Sequence, residues 1–338
     1  MDEGTTRDAV SRFGLGVVIG KFLPPHHGHR FLIETALSRC ERVVVIVCGK
    51  PVDPIPAELR TEWLREMVPA TEVMLIDDRY DEKDSRVWAR NTIGWLGRAP
   101  DVVFTSEDYG DRYASYMGCA HVLVDQARIK IPCSGTAVRG DALAMWNYID
   151  PPVRSWFAKR VVIVGAESTG TTTLAMDLAA ALETEWVAEY GREYSAAKQA
   201  AGDSIWQTAE FLEIAKEQTR REDVAARSAN RILVCDTNAF ATVLWHRRYM
   251  GHHDDALRGY AALGRADLYL LTGDEIPFVQ DGLRDGEHRR HDMHAWFEEA
   301  LAGQAVPWAL LRGSRDERLH EALSLIDRHW PSARAARP

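Results

Sequence analysis

Leu-Gly-Val-Val-Ile (Leu15–Ile19), then Gly-Lys-Phe-Leu-Pro-Pro-His-His-Gly-His (Gly20–His29), then Arg30–Ser38, reads as an apolar strand, a glycine-bearing turn and a helix. The same layout returns as Val161–Val164, the turn GAESTGTT over 165–172, and a helix over Thr173–Leu182. Between the two lie further short β-rich runs, Val43–Val47, Val73–Ile76, Val102–Thr105 and His121–Val124, each followed by a helical-looking stretch. Ile232–Cys235 and Leu268–Leu271 continue the pattern after the second turn. Strands alternating with helices imply parallel sheets covered on both faces, so the chain is expected to be α/β throughout.

A length of 338 residues exceeds one typical domain, and two cores are the natural expectation. Pro151 and Pro152 are expected to stop a helix ending at Trp146–Ile149, which puts a boundary near Asp150–Lys159. The domains then read as 14–155 and 156–330, with 1–13 a disordered lead-in and 331–338 a frayed tail. The net charge of −9 disfavours a nucleic-acid partner, while leaving room for phosphorylated small molecules in local basic pockets. Five scattered cysteines, none spaced as CxxC, suggest neither a disulfide framework nor a zinc knuckle. The polar start is no signal peptide and no apolar run reaches about 18 residues, so a cytoplasmic protein without a membrane partner is expected. A homo-oligomer is left open.

A strand ending in glycine brings backbone N–H groups close to a phosphate, and Lys21 adds charge beside Gly20. His26-x-Gly28-His29 is expected to place two imidazoles on one side of a helix start, with Gly28 leaving space for ligand between them. A metal site is the alternative for these clustered histidines, although no adjacent Cys or carboxylate completes a ligand set. Downstream, Cys133-Ser-Gly-Thr-Ala-Val-Arg139 offers Ser134 and Thr136 hydroxyls and the Arg139 fork as a second anion nest. On its own that segment is an ordinary N-cap. Paired in this order, the segments resemble the nucleotidylyltransferase superfamily, and the resemblance implies adenylyl transfer from ATP. His26 and His29 are assigned to the triphosphate, Lys21 and Arg139 to the flanking phosphates, and Ser134 and Thr136 to the leaving pyrophosphate. Gly20, Phe22 and Gly28 complete the ATP site.

The second turn, Gly165-Ala-Glu167-Ser168-Thr169-Gly170-Thr171-Thr172, sits where a phosphate-binding P-loop belongs, with Thr173 opening the helix. Thr172 takes the Mg²⁺-ligand position, and Thr171 stands where lysine is usual. Asp236, after Ile232–Cys235, is a second expected Mg²⁺ contact. Tyr190–Glu193 is read as a turn carrying Arg192. Arg284, Arg289 and Arg290 are read as a lid closing over a phosphoryl group, or alternatively as a solvated charged face. His288, His291 and His294 are read as histidines of an exposed helix in preference to a metal site.

HxGH, SxTxxR, a P-loop-like turn, AEYGREY, CDTN and QDGLR in this order resemble the NadR family, over about Leu15 to Trp330. The resemblance implies an N-terminal Rossmann-like nucleotidyltransferase domain and a C-terminal P-loop kinase-like α/β domain. It implies nicotinamide mononucleotide adenylyltransferase activity joined to ribosylnicotinamide kinase activity, with ATP as co-substrate, Mg²⁺ as cofactor and NAD as product. It also implies that Arg60 and Trp88 bind the nicotinamide nucleotide, although Trp88 could equally be core. Ser106 and Glu107 are placed beside adenosine, Glu189 and Arg192 at the riboside, and Asp236 as kinase base or metal-associated carboxylate. Residues 1–13 are too short for the DNA-binding module of some members, so regulation by DNA is not expected. Thr171 leaves a second expectation open, a nucleotide-sensing domain without turnover.

Overall fold

The structure, a computed structural model, describes residues 12–80, 84–280 and 287–334. The chain divides into two compact units between Val153 and Arg154.

In the first unit, β1 (Phe13–Gly20), β2 (Cys40–Gly49), β3 (Glu72–Asp77), β4 (Val102–Thr105) and β5 (Ala120–Leu123) form one sheet. Their order is β3-β2-β1-β4-β5, and every neighbouring pair is parallel. Val17, Val18, Val45 and Ile46 of β1 and β2 are buried, as strands covered on both faces require. The strand order reverses at β1. The crevice beyond the carboxyl ends of β1 and β4 is therefore the switch point at which open α/β sheets hold ligands.

The second unit repeats the plan with β6 (Lys159–Val164), β7 (Trp186–Val187), β8 (Ile232–Asp236), β9 (Leu268–Thr272) and β10 (Trp308–Leu311). Its order is β10-β9-β6-β8-β7, again all parallel. The reversal falls at β6, so the P-loop-like turn after β6 and Asp236 at the end of β8 flank one crevice. Among the described residues no helix is long and apolar enough to cross a membrane.

Several local expectations change. β1 already includes Phe13, inside the expected lead-in. Pro151 and Pro152 do not mark a break: they open the helix Pro151–Phe157, because a proline's missing N–H costs nothing in a first turn. Trp146–Tyr148 is only a single 3₁₀ turn. Tyr190–Glu193 is the first turn of the helix Tyr190–Ala200. Pro331–Arg334 forms a 3₁₀ turn with Ala333 buried, so the start of the tail is packed. Residues 335–338 lie outside the described residues.

Candidate active sites

At the end of β1 the chain passes Gly20 and Lys21 to Phe22, which is buried and adopts a left-handed backbone (φ 47°). His26 caps the helix His27–Arg39, its Nδ1 accepting from the Gly28 N–H at 3.1 Å. With Nδ1 accepting, the neutral ring carries its proton on Nε2. The His26 and His29 rings lie 3.8 Å apart at a 34° tilt, and Phe22 meets His29 edge-on at 4.9 Å. Burial, then the charges of Arg128 and His27, lower His26 to about 4. Burial, then His26 and Arg128, hold His29 well below the ordinary histidine value. Both imidazoles are thus uncharged at neutral pH, and they can donate to phosphate oxygens without contributing charge.

The second segment docks on the first. Ser134 caps the short helix Gly135–Gly140, its Oγ accepting from the Ala137 N–H at 3.1 Å. The Arg139 guanidinium donates to the Leu23 carbonyl and, at 3.3 Å, to Thr136 Oγ1. A Cβ at position 135 would lie 2.6 Å from the Leu23 carbonyl oxygen, so this approach demands glycine. A cavity of about 670 Å³ opens over both segments, a volume suited to a small-molecule ligand. Gly20, Lys21, Phe22, His26, Gly28 and His29 form one wall. Ser134, Thr136 and Arg139 form a second, and Ser106, Glu107 and Trp88 complete it.

In the second unit the turn after β6 forms a tight phosphate-sized loop. Ser168 (φ 59°) and Gly170 (φ 86°) take left-handed backbones. A Cβ on Gly165 would fall 2.3 Å from Thr272 Oγ1 and 2.5 Å from Thr169 Oγ1. A pocket of about 170 Å³ is lined by Gly165, Glu167, Ser168, Gly170 and the threonines 171–173. Glu189, Arg192 and Asp236 line it as well. Thr172 Oγ1 donates to Asp236 Oδ2 at 2.5 Å, and the Thr171 hydroxyl bonds the same carboxyl. Desolvation, then the Asp236 charge, push Glu189 up to about 8; burial raises Asp236 as well. The repulsion between the two carboxyls favours protonation of one of them or a cation nearby. Hard oxygen donors of this kind suit Mg²⁺. Among the described residues no group of three or more His, Cys, Asp or Glu side chains is placed to hold a metal, so phosphate and water would complete its shell.

The Cytidylyltransferase-like family matches residues 17–141 and the AAA domain family residues 160–318. The trifunctional NAD biosynthesis/regulator protein NadR of Escherichia coli (strain K12) is 28% identical over 295 residues, 80% of this chain and 71% of that protein. NadR of Salmonella typhimurium is 28% identical over 294 residues, again 80% of this chain and 71% of that protein. The chain is thus similar to NadR proteins over four fifths of its length. Its fold agrees with a crystal structure of NadR in complex with NR, at a TM-score of 0.80 and 23% identity, covering 95% of this chain and 97% of that one. A NadR structure with NAD and AMP-PNP aligns at 0.78 and 22% identity, covering 97% and 100%.

Some expected site residues are placed differently from the sequence reading. Arg60 does not line the cavity. Fully buried, it donates to the Ile55 (3.1 Å), Cys48 (3.3 Å) and Lys21 carbonyls and to Asp53 (2.6 Å), so it braces the floor behind Lys21. Gly28 lines the cavity and also leaves room for the His26 ring, since a Cβ there would lie 2.9 Å from it. Thr169 points away from its pocket and bonds the Ala166 carbonyl and Thr272, each at 2.7 Å. Arg290 is buried and donates to the Ser168 carbonyl at 3.3 Å, against the P-loop, while Arg289 is exposed. Arg284, with the rest of 281–286, lies outside the described residues. His294 is not on an exposed face: it is buried, with Nε2 4.0 Å from Asp274 and 3.7 Å from Glu298.

Other residues were missed. Arg128 lines the first cavity and pairs with Glu107 at 3.2 Å, and its left-handed backbone (φ 53°) gave no local signal. Arg318 is buried beneath the P-loop, donating to the Thr169 carbonyl at 2.6 Å and to Glu275 at 2.7 Å. Trp206, Phe211, Trp245 and Tyr249 form an aromatic wall of the second pocket, with Trp206 centred 5.1 Å from Phe211 and 5.3 Å from Tyr249. These four come from two distant stretches of chain, 206–211 and 245–249, so no motif announces them.

Proposed function

We propose that the first unit transfers the adenylyl group of ATP to nicotinamide mononucleotide and the second phosphorylates nicotinamide riboside, so that the chain makes NAD from the riboside. The observation carrying this reading is the convergence of His26, His29, Lys21 and Arg139 on one cavity whose wall includes Trp88. A phosphate oxygen of the mononucleotide attacks the α-phosphorus of ATP. The new P–O bond forms as the bond to pyrophosphate breaks, and the nucleophile is already anionic. His26 and His29 donate hydrogen bonds to the phosphate oxygens as charge builds on them. Lys21 and Arg139 supply the positive charge that neutral imidazoles lack. Trp88 offers a face for the pyridine ring, and Ser106 and Glu107 adjoin the adenosine. The names of the relatives, which join NadR to NAD biosynthesis, NR, NAD and AMP-PNP, support the same reading.

In the second unit Thr172 and Asp236 would hold Mg²⁺, which neutralises charge on the transferred phosphoryl group. Glu189 and Arg192 would contact the riboside beside the aromatic wall; in the alternative role Asp236 would receive the hydroxyl proton. Incubation with ATP, Mg²⁺ and nicotinamide mononucleotide should yield NAD and pyrophosphate, and absence of both products refutes the first half. Supplying nicotinamide riboside tests the second half.

A second reading, nucleotide sensing without turnover, is favoured by one observation. Thr171 hydrogen-bonds Asp236 from the position that normally carries the β/γ-phosphate lysine. Thr171→Lys separates the two readings. A gain of phosphoryl transfer identifies a kinase limited by charge. Nucleotide binding with no transfer in either protein identifies a sensor.

A further inference from the structure

His26 and His29 line the cavity of the first unit, while the next residue along from each, His27 and Arg30, turns to Asp150. Residues three apart share a helix face, and successive residues point about 100° apart around the axis. The two pairs therefore occupy neighbouring faces of one turn. Whatever grips the second pair sets the direction of the first.

Asp150, just ahead of the helix Pro151–Phe157, is placed to grip. It is 6% exposed. The Arg30 guanidinium donates to its Oδ1 and, at 3.4 Å, to the Met67 carbonyl. Its Oδ2 is buried, accepts no hydrogen bond and lies 3.7 Å from His27 Nε2. A buried carboxylate oxygen without a donor is costly, and the His27 ring, a third exposed, needs only a slight approach to supply one. The backbone of Asp150 is fixed: its carbonyl accepts from the Val153 N–H at 2.9 Å, and Ile149 and Val153 are fully buried.

We infer that Asp150 is a positioning residue for adenylyl transfer, holding the first turn of the helix His27–Arg39 at the rotation that aims His26 and His29 at the phosphate oxygens. The inference rests on the adenylyltransferase reading above and deepens it. Asp150 touches no substrate and acts through His27 and Arg30. Lys21 and Arg139 hold the bound triphosphate by charge, which tolerates a small rotation of this turn. The transition state does not, since a displacement of about 1 Å can cost about a hundredfold in rate. Loss of Asp150 therefore falls on kcat.

The test is steady-state kinetics of the full chain with ATP, Mg²⁺ and nicotinamide mononucleotide. Asp150→Asn keeps the shape and removes the charge that holds Arg30. It should lower kcat at least fivefold with KM for both substrates within threefold of wild type. It should also move the imidazole NMR signals of His26 and His29, while amide exchange on β1 and β2 is unchanged. A smaller loss in kcat, a larger rise in either KM, or histidine signals that stay in place overturns the assignment. If exchange shows that Asp150→Asn has lost the fold of the first unit, His27→Ala replaces it at a partly exposed position; kcat should fall at least threefold with KM unchanged, and a smaller fall overturns the assignment. Wild type that forms no NAD refutes the adenylyltransferase reading instead; the NMR comparison then tests Asp150, and His26 and His29 signals unmoved in Asp150→Asn overturn it.

Discussion

Removing the titrating ring of His26 tests how the site is kept uncharged. The folded-state value of about 4 lies below the ordinary 6.5, because the buried cap position and the charges of Arg128 and His27 disfavour the imidazolium. An unfolded chain takes up this proton near pH 6.5, whereas the native protein resists until about pH 4. The associated stability is therefore complete above pH 6.5 and is lost as the pH falls toward 4. Linkage gives a loss of about 1.4 kcal/mol by pH 5.5 and about 2.6 kcal/mol by pH 4.5 from this group alone. His26→Asn keeps a side-chain acceptor for the Gly28 N–H, since asparagine is a good N-cap, but has nothing to titrate. Native-state hydrogen exchange on β1 and β2 amides reports the opening free energy of the first unit without requiring the whole chain to unfold in one step. Wild type minus variant should fall by about 2–3 kcal/mol between pH 7.5 and 4.5. A difference constant to within about 0.5 kcal/mol would show that His26 is not held neutral by burial, and would remove the basis for treating the histidines as neutral donors.

Gly165→Ala should abolish nucleotide binding to the second unit while NAD synthesis from nicotinamide mononucleotide continues, because the new Cβ would strike Thr272 and Thr169 at 2.3 and 2.5 Å; paired binding and product assays check this. Arg160, almost fully buried, pairs with Glu222 at 3.3 Å and Asp223 at 2.6 Å, so Arg160→Ala should cost about 3–5 kcal/mol. Arg160→Met with Glu222→Leu should recover most of that in exchange measurements on β6 and β8. Glu189 is pushed up to about 8 by desolvation and the Asp236 charge, and a Mg²⁺ ion held at Asp236 would offset that charge and favour its ionised form. Mg²⁺–nucleotide affinity of the second unit should therefore rise between about pH 7 and 9, and calorimetry should find the rise gone in Glu189→Gln.

Much of this was legible along the chain. Apolar runs of four to six residues ending in glycine located β1 and β6, since a buried parallel strand must be apolar on both faces. The short β7 and β10, of two and four residues, carry no periodic signal. Spacing likewise placed His26, His29 and Arg139, and the P-loop-like turn, because a turn of backbone between strand and helix is a local property. The direction of a side chain is not. Arg60 and Thr169 lie beside functional segments yet spend their donors inside the protein, on carbonyls and hydroxyls delivered by other strands. Arg128 and the aromatic wall of Trp206, Phe211, Trp245 and Tyr249 belong to no motif. They meet their sites only once parallel pairing brings the ends of distant strands together. Local sequence fixes where strand gives way to turn and helix; tertiary packing settles which polar groups are consumed by the fold and which face the cavities, because burial and hydrogen-bond satisfaction are set by neighbours remote in sequence.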